Sequence, residues 1–389
     1  MASNSEDERW MRRALRLASA GYTAPNPMVG CVLVRDGVEV GRGFHRYAGA
    51  GHAEVAALKQ AGNAAAGATA YVTLEPCCHW GRTPPCTQAL IQAGVKRVIA
   101  AITDPNPQVA GRGMVELKEA GIEVESGLLA SESRKLNESY FYFQEHHLPF
   151  ITLKAGVSLD GKMATRSGHS QWITGEQARR HAHRLRAKQC AIVTGIGTVL
   201  QDDPLLTARV AGAMNQPVRV VVDSCLRIPP TARVLHPPKM LERARKGEPF
   251  PATVIATTDA APDERCRELE RLGARVVKFP ADGGEHVDLL AMVKWLGAEG
   301  MTSVLIEAGG RLGGAFLEAN RVNKVVVYVA PILIGGSGAP SFWEGEGSDR
   351  LLDAPRLQDV VGRWVGGDFM IEGYLPAAGG LVQADARIA

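Results

Sequence analysis

The feature that most restricts the fold of this chain is a rhythm. Stretches with helical spacing that close on a glycine alternate with short runs rich in β-branched residues: GHAEVAALKQAG (51–62) reads as a helix, GATAYVTLEP as a strand, CTQALIQAG as a helix, VKRVIAAI as a strand, then GRGMVELKEAG and IEVESGLL as helix and strand again. Helices between strands carry the chain back along the sheet, so the strands run largely parallel and an α/β fold with helices on both faces is predicted. A hairpin precedes the rhythm, because Asp36-Gly37 in MVGCVLVRDGVEVGRGF tolerates the positive φ angles of a tight turn. SESRKLNESYFYFQEHH is predicted to form one last helix.

Near Leu148-Pro149 the pattern restarts with FITLKAGVSLDGKMA and runs through CAIVTGIGTVL, PVRVVVDS, ATVIATT, ARVVKF, TSVLIEAGG and KVVVYVAPILIGG, with helical GEQARRHAHRLRA and DERCRELERLG between them. At 389 residues the chain exceeds the size at which one core stops growing. Two α/β domains are therefore expected, residues 1–147 and 148–389. HPPKMLERARKGEPFP, dense in proline and charge, reads as a surface excursion.

Charge narrows the partners. With 44 Lys+Arg against 41 Asp+Glu and a net charge of +3, the chain has no whole-molecule footprint for nucleic acid or an anionic membrane. The seven cysteines (31, 77, 78, 86, 190, 225 and 266) are odd in number and dispersed, unlike a secreted disulfide framework. MASNSEDERWMRRALRLASAG reads as an amphipathic helix rather than a signal peptide, and the apolar run KVVVYVAPILIGG falls short of the roughly 20 residues a membrane helix needs. A cytoplasmic, soluble protein is expected, with a local basic patch still open.

TLEPCCHWGRTPPCTQAL (73–90) gathers three of the seven cysteines and a histidine, so it is a metal site, a redox pair or a sulfur-rich strand end. A catalytic zinc takes three thiolate or imidazole ligands and leaves one position for water. His52 at the start of a predicted helix, Cys77 after a strand and Cys86 opening the next helix offer that set, and helix N-termini favour thiolates. Zinc deaminases of nucleobases carry H-x-E…P-C-x-x-C with the glutamate as proton shuttle. H-A-E at 52–54 and Pro76-Cys77 fit, but eight residues rather than two separate Cys77 from Cys86. Cys78, pointing away from Cys77 on an extended backbone, is read as core or as support for the ligands.

HAEVAAL and TLEPCCHWGRTPPC, together with PNPMVGCVLV, DPNPQVAGRG, LKAGVSLDGKMA, SGHSQWIT, TVLQDDPLLTAR, VVDS and IEAGGRLGGAFL, closely resemble the bifunctional pyrimidine deaminase/reductase family of riboflavin biosynthesis over almost the whole chain, widened cysteine spacing included. The resemblance implies a cytidine-deaminase-like three-layer domain followed by a dihydrofolate-reductase-like α/β domain. It implies zinc on His52, Cys77 and Cys86, Glu54 as general acid/base, and Asn26, His45, His79 and Arg82 around a pyrimidine ribose 5-phosphate. Two positions depart from the family: Met28 stands where a second asparagine is common, and Trp80 where a histidine is.

In the second half, GIGTVL ends in leucine where a dinucleotide fingerprint needs glycine or alanine. EAGGRLGGAFL, a glycine cluster between a strand and a helix, suits either backbone approach to a pyrophosphate or close helix packing. The resemblance implies NADPH held by Gly156, Trp172, Thr198, Asp202, Ser224 and the run Gly309, Gly310, Arg311, Leu312, Gly313, Gly314 and Ala315. Substrate is expected at Ser170, Arg186, Leu206, Arg209 and Glu307, with Lys154 and Asp160 shaping the sugar site; arginine forks match phosphate oxygens. A homo-oligomer, dimer or tetramer, is expected. The rivals are a nucleic-acid or nucleoside deaminase with an accessory domain, and a zinc module that merely holds a fold.

Overall fold

The computed structural model describes residues 2–80, 84–237 and 253–376. The chain divides into two compact units, Met1–Glu145 and His146–Ala389.

In the first unit, helix α1 (Ala2–Ala18) precedes a hairpin of β1 (Gly30–Arg35) and β2 (Val38–Phe44), whose turn residues Asp36 and Gly37 both have positive φ. Then follow α2 (Ala53–Ala61), β3 (Thr69–Val72), α3 (Cys86–Gln92), β4 (Arg97–Ala100), α4 (Arg112–Glu119) and β5 (Glu123–Ser126). The sheet runs β2-β1-β3-β4-β5; β1 is antiparallel to both its neighbours, and β3, β4 and β5 are parallel. Alternation along the strands makes three layers. Cys31, Leu33, Ala70 and Val72 face Ala53 and Ala57 of α2, Leu90 of α3 and Leu117 of α4, whereas Val32, Val34 and Tyr71 face Trp10, Met11 and Ala14 of α1. The single closing helix expected from the sequence is two, α5 (Ala130–Leu136) and α6 (Glu138–His146), because Asn137 turns its amide to the backbone of Met28, accepting from its N–H at 2.7 Å and donating to its carbonyl at 3.0 Å.

The second unit contains β6 (Phe150–Ser158), α7 (Glu176–Ala187), β7 (Ala191–Gly195), α8 (Ile196–Asp202), β8 (Val218–Val222), β9 (Thr253–Thr258), α9 (Asp263–Arg271), β10 (Arg275–Phe279), the short ribbon β11 (Ala281–Asp282) and β12 (His286–Val287), α10 (Leu289–Ala298), β13 (Ser303–Ile306), α11 (Gly310–Glu318), β14 (Lys324–Ala330) and the hairpin β15 (Gln358–Val365) and β16 (Asp368–Tyr374). Nine strands form one sheet, β10-β9-β8-β7-β13-β6-β14-β16-β15, parallel up to β14 and antiparallel beyond it. One face packs on Met292, Val293 and Leu296 of α10 and Phe316 of α11; the other packs on Ile196 and Val199 of α8 and Leu269 of α9. GIGTVL thus turns from β7 into α8. Most of the expected excursion, from residue 238 on, lies outside the described residues. No helix among the described residues is long and apolar enough to cross a membrane.

Candidate active sites

Two glycines bring α2 onto the hairpin: a Cβ at Gly41 or Gly43 of β2 would run into the carbonyl oxygens of Ala57 or Ala53. That close approach sets His52, the residue capping α2, and Glu54 in its first turn. Cys77 lies just beyond β3, and Cys86 opens α3 after Pro85. His52 Nδ1 is 3.2 Å from Cys86 Sγ and 3.5 Å from Cys77 Sγ, and the ligand atoms of all three lie within 4.8 Å of one another. Zinc with nitrogen at about 2.0–2.1 Å and sulfur at about 2.3 Å has tetrahedral N···S edges of about 3.5 Å, so the donor set fits a zinc ion.

The two thiols divide one proton between them. The hydrogen bond from Cys86 draws the Cys77 thiol down to about 4 against the opposing effect of burial, and His52 assists, while the same bond and burial push the Cys86 thiol far above the usual thiol range. The Cys86 backbone N–H also donates to Cys77 Sγ at 3.4 Å. The bond to Cys77 raises the proton affinity of His52. Burial, then the Cys77 charge, lifts the Glu54 carboxyl to about 7, in the range where an acid/base group works at neutral pH.

Around this centre the Asn26 amide lies 3.5 Å from His45 Nε2, His45 Nδ1 is 3.3 Å from the Gly51 carbonyl, and the His45 and His52 rings are 5.7 Å apart. His79 has a buried Nδ1 without a hydrogen-bond partner among the described residues. Arg82 lies outside the described residues. Cys78 turns toward the Gln108 carbonyl at 3.9 Å instead of the triad. Asn137 holds Met28 by its backbone alone, and Trp80 is 71% exposed. Glu75 is the residue that motif reasoning missed. Its buried carboxylate accepts from the backbone N–H groups of Asp104, Gly111, Gly113 and Met114; the one signal in the sequence is a carboxylate at a strand end before Pro76.

In the second unit the sheet face beneath α7 carries Lys154 and Gly156 on β6, opposite Val326 and Tyr328 of β14. Arg186 of α7 and Glu307, just after β13, pair through two short bonds, and Lys154 Nζ is 3.5 Å from the same carboxylate. Arg186 also donates to the Thr207 carbonyl, and the Arg209 backbone N–H to His183 Nδ1 at 3.4 Å. Leu206 is buried with positive φ beside them in sequence. Thr198 and Asp202 lie on α8, and Ser170 donates to Asp202 at 2.7 Å. Trp172 is exposed, with the Arg179 guanidinium 4.5 Å from its ring centroid. Ser224 follows β8, and its hydroxyl accepts from the Val287 N–H. Asp160 accepts from the Ile334 and Gly335 N–H groups, which hold its carboxyl down to about 2.

The glycine cluster divides between its two readings. A Cβ at Gly310 or Gly314 would meet the carbonyl oxygens of Ser341 or Glu344, so these two serve packing. Gly313 lies against Leu153, and Gly195 of β7 against Leu312. Gly309 caps α11 with open space where a Cβ would be, and Arg311 is exposed beside Glu344.

Residues 4–102 match the zinc-binding region of cytidine and deoxycytidylate deaminases, and residues 149–370 match the RibD C-terminal domain. The chain is 45% identical over 377 residues to riboflavin biosynthesis protein RibD of Escherichia coli, covering 93% of this chain and 98% of that protein. Its structure resembles RibD of Acinetobacter baumannii, with a TM-score of 0.83 and 38% identity over 96% of this chain and 99% of that one. It also resembles the diaminohydroxyphosphoribosylaminopyrimidine deaminase/5-amino-6-(5-phosphoribosylamino)uracil reductase of Thermotoga maritima, with a TM-score of 0.78 and 30% identity over 96% and 99%. Fold and sites therefore define an enzyme that joins a cytidine-deaminase-like zinc domain to a dihydrofolate-reductase-like reductase domain. The chain belongs to the RibD family of riboflavin biosynthesis.

Proposed function

We propose that the chain catalyses two consecutive steps on one pyrimidine: hydrolytic loss of the ring 2-amino group from 2,5-diamino-6-(5-phosphoribosylamino)pyrimidin-4-one in residues 1–147, then NADPH-dependent reduction of its ribosyl group to ribityl in residues 148–389. The observation that carries the reading is the convergence of His52, Cys77 and Cys86 beside the buried Glu54. Zinc held by such a set supplies Lewis-acid activation of water near neutral pH. Glu54 takes the proton released there, holds it on its carboxyl oxygen and passes it to the departing amine nitrogen; its burial, which favours the neutral carboxyl, suits it to carry that proton. Asn26, His45, His79 and Arg82 orient the pyrimidine and its phosphate.

In the second half, bound NADPH supplies the hydride. Gly156, Trp172, Thr198, Asp202, Ser224 and, from the run, Gly309, Arg311, Leu312, Gly313 and Ala315 hold it, with Gly309 leaving room for backbone approach at the start of α11 while Gly310 and Gly314 serve packing. Lys154, Ser170, Arg186, Leu206, Arg209 and Glu307 hold the sugar phosphate. Burial and the neighbouring Arg186 and Arg233 lower the proton affinity of Arg209, the mark of a cationic patch suited to an anion. Since Glu307 already occupies Arg186, Arg209 is the arginine we assign to the phosphate. We also infer a cytoplasmic homo-oligomer, a dimer or tetramer, with neither nucleic acid nor membrane as partner.

The test is stepwise. Purified protein with its zinc content measured should release ammonia from the diaminopyrimidine phosphate without NADPH, and oxidise NADPH only once the deaminated product is present. Cys86→Ser should abolish the first reaction and spare the second on supplied product. NADPH oxidation by the undeaminated compound at the same rate would contradict the proposed order.

A further inference from the structure

Glu75 is 3% exposed, yet four backbone N–H groups converge on its carboxylate. Oε2 accepts from Asp104 at 3.1 Å and from Gly111 at 2.9 Å; Oε1 accepts from Gly113 at 2.9 Å and Met114 at 3.3 Å. Gly111 caps α4 and Gly113 and Met114 lie in its first turn, so a side chain three residues beyond β3 satisfies the free donors of a helix it does not belong to, where the helix dipole also favours negative charge. The fit is close, since a Cβ at Gly113 would collide with the Pro76 carbonyl oxygen.

α4 then reaches back to the cysteines. Glu116 accepts the Thr87 hydroxyl at 2.9 Å, and the Thr87 backbone N–H donates to the Cys77 carbonyl at 3.2 Å. Thr87 is the residue after Cys86, at the start of α3. One helix is thus tied to both cysteine segments: by Glu75 to the approach to Cys77, and by Glu116 and Thr87 to the Cys77 carbonyl and the beginning of the Cys86 helix.

We propose that Glu75 is a positioning residue of the zinc site, acting through α4 and the Glu116–Thr87 bond to set the separation of Cys77 and Cys86. It touches neither metal nor substrate. Glu75→Gln keeps the shape but offers one oxygen and an amide donor to four N–H groups, so some of them lose their acceptor and α4 is released from the Cys77 segment. Thr87→Val removes the second tie and leaves the first intact.

The inference rests on reading His52, Cys77 and Cys86 as a zinc site, and the experiment separates the two claims. Apo-protein is titrated with zinc against a competing chelator indicator; the parent is expected to bind one equivalent, lost in Cys86→Ser. Folded Glu75→Gln is expected to bind zinc about 10- to 100-fold more weakly, and Thr87→Val about tenfold, as for groups that orient metal ligands. Val98→Ala, a cavity in the same core at a residue that makes none of these bonds, lowers the melting temperature and is expected to leave zinc affinity unchanged. Zinc affinity in Glu75→Gln within about twofold of the parent, against that expected loss, overturns the proposal, as does an equal loss in Val98→Ala at matched melting temperature. Should Glu75→Gln fail to fold, Thr87→Val decides by the same criteria. A parent that binds no zinc refutes the triad reading and the proposal with it.

Discussion

The Arg186 guanidinium meets the Glu307 carboxylate edge to edge, Nε to Oε1 at 2.7 Å and Nη2 to Oε2 at 2.8 Å, with both side chains nearly out of solvent. Burial opposes ionisation of Glu307, but Arg186 and Lys154 outweigh it and hold the carboxyl well below the usual carboxylate range. The pair ties α7 to the end of β13 and, with Lys154 on the same carboxylate, leaves a net positive charge beside the proposed sugar site. Glu307→Gln strands two cations beside one amide oxygen and should destabilise the second unit by about 3–5 kcal/mol, the usual cost of breaking a buried pair from one side. Urea unfolding followed on the second unit measures it; a loss below about 1 kcal/mol, the range of exposed ion pairs, would show that water already screens the pair.

Glu54→Gln preserves the volume of the buried side chain and removes its capacity to carry a proton. Ammonia release should fall by about 10²- to 10⁴-fold. Zinc content and NADPH-dependent reduction of supplied product should stay at parental values. Full turnover in a zinc-loaded variant would take the proton-transfer role away from Glu54.

Gly43→Ala should show that the site depends on how closely α2 approaches β2. The added methyl would collide with the Ala53 carbonyl oxygen and come within 2.7 Å of the Ala57 backbone nitrogen, so α2 must move outward and carry His52 and Glu54 with it. A stability loss of about 1–3 kcal/mol, typical of overpacking, should accompany weaker zinc binding. Unchanged zinc affinity would mean that the strand yields instead of the helix.

The sequence made the elements of both units legible wherever period and punctuation coincide. Asp36-Gly37 marked the hairpin, and Gly62 ended α2 with positive φ. His52, Glu54, Cys77 and Cys86 were readable because each stands at a strand end or helix start, which the same rhythm locates. The function of Glu75 was not, because its partners are backbone N–H groups 29 to 39 residues downstream, and a sequence shows side chains rather than the direction of amides. The break at Asn137 answers a backbone demand at Met28, 109 residues away. β15 is exposed from Gln358 to Trp364, so it lacks the apolar alternation that betrays a half-buried strand. Gly309, Gly310 and Gly314 are the same letter, and only the carbonyls of Ser341 and Glu344 separate the packing glycines from the open one.

The same cationic cluster makes a prediction about acid. Burial first, then the charges of Arg186 and Arg209, push the His183 imidazole down to about 4 from an ordinary 6.5, with Glu307 opposing. Between those values the unfolded chain binds a proton that the folded chain refuses, so stability is complete above 6.5 and declines as the pH falls toward 4. The melting temperature of the second unit should therefore drop more steeply on acidification through this window in the parent than in His183→Gln, which has no imidazole to protonate. Equal slopes would mean that His183 titrates as it does in the unfolded chain. Inorganic phosphate docking beside Arg209 would offset the two arginine charges and raise the proton affinity of His183, so the acid loss should shrink in phosphate relative to chloride at equal ionic strength. An Arg209→Gln variant relieves part of the same repulsion directly, and should show a shallower acid slope in chloride together with a smaller response to phosphate.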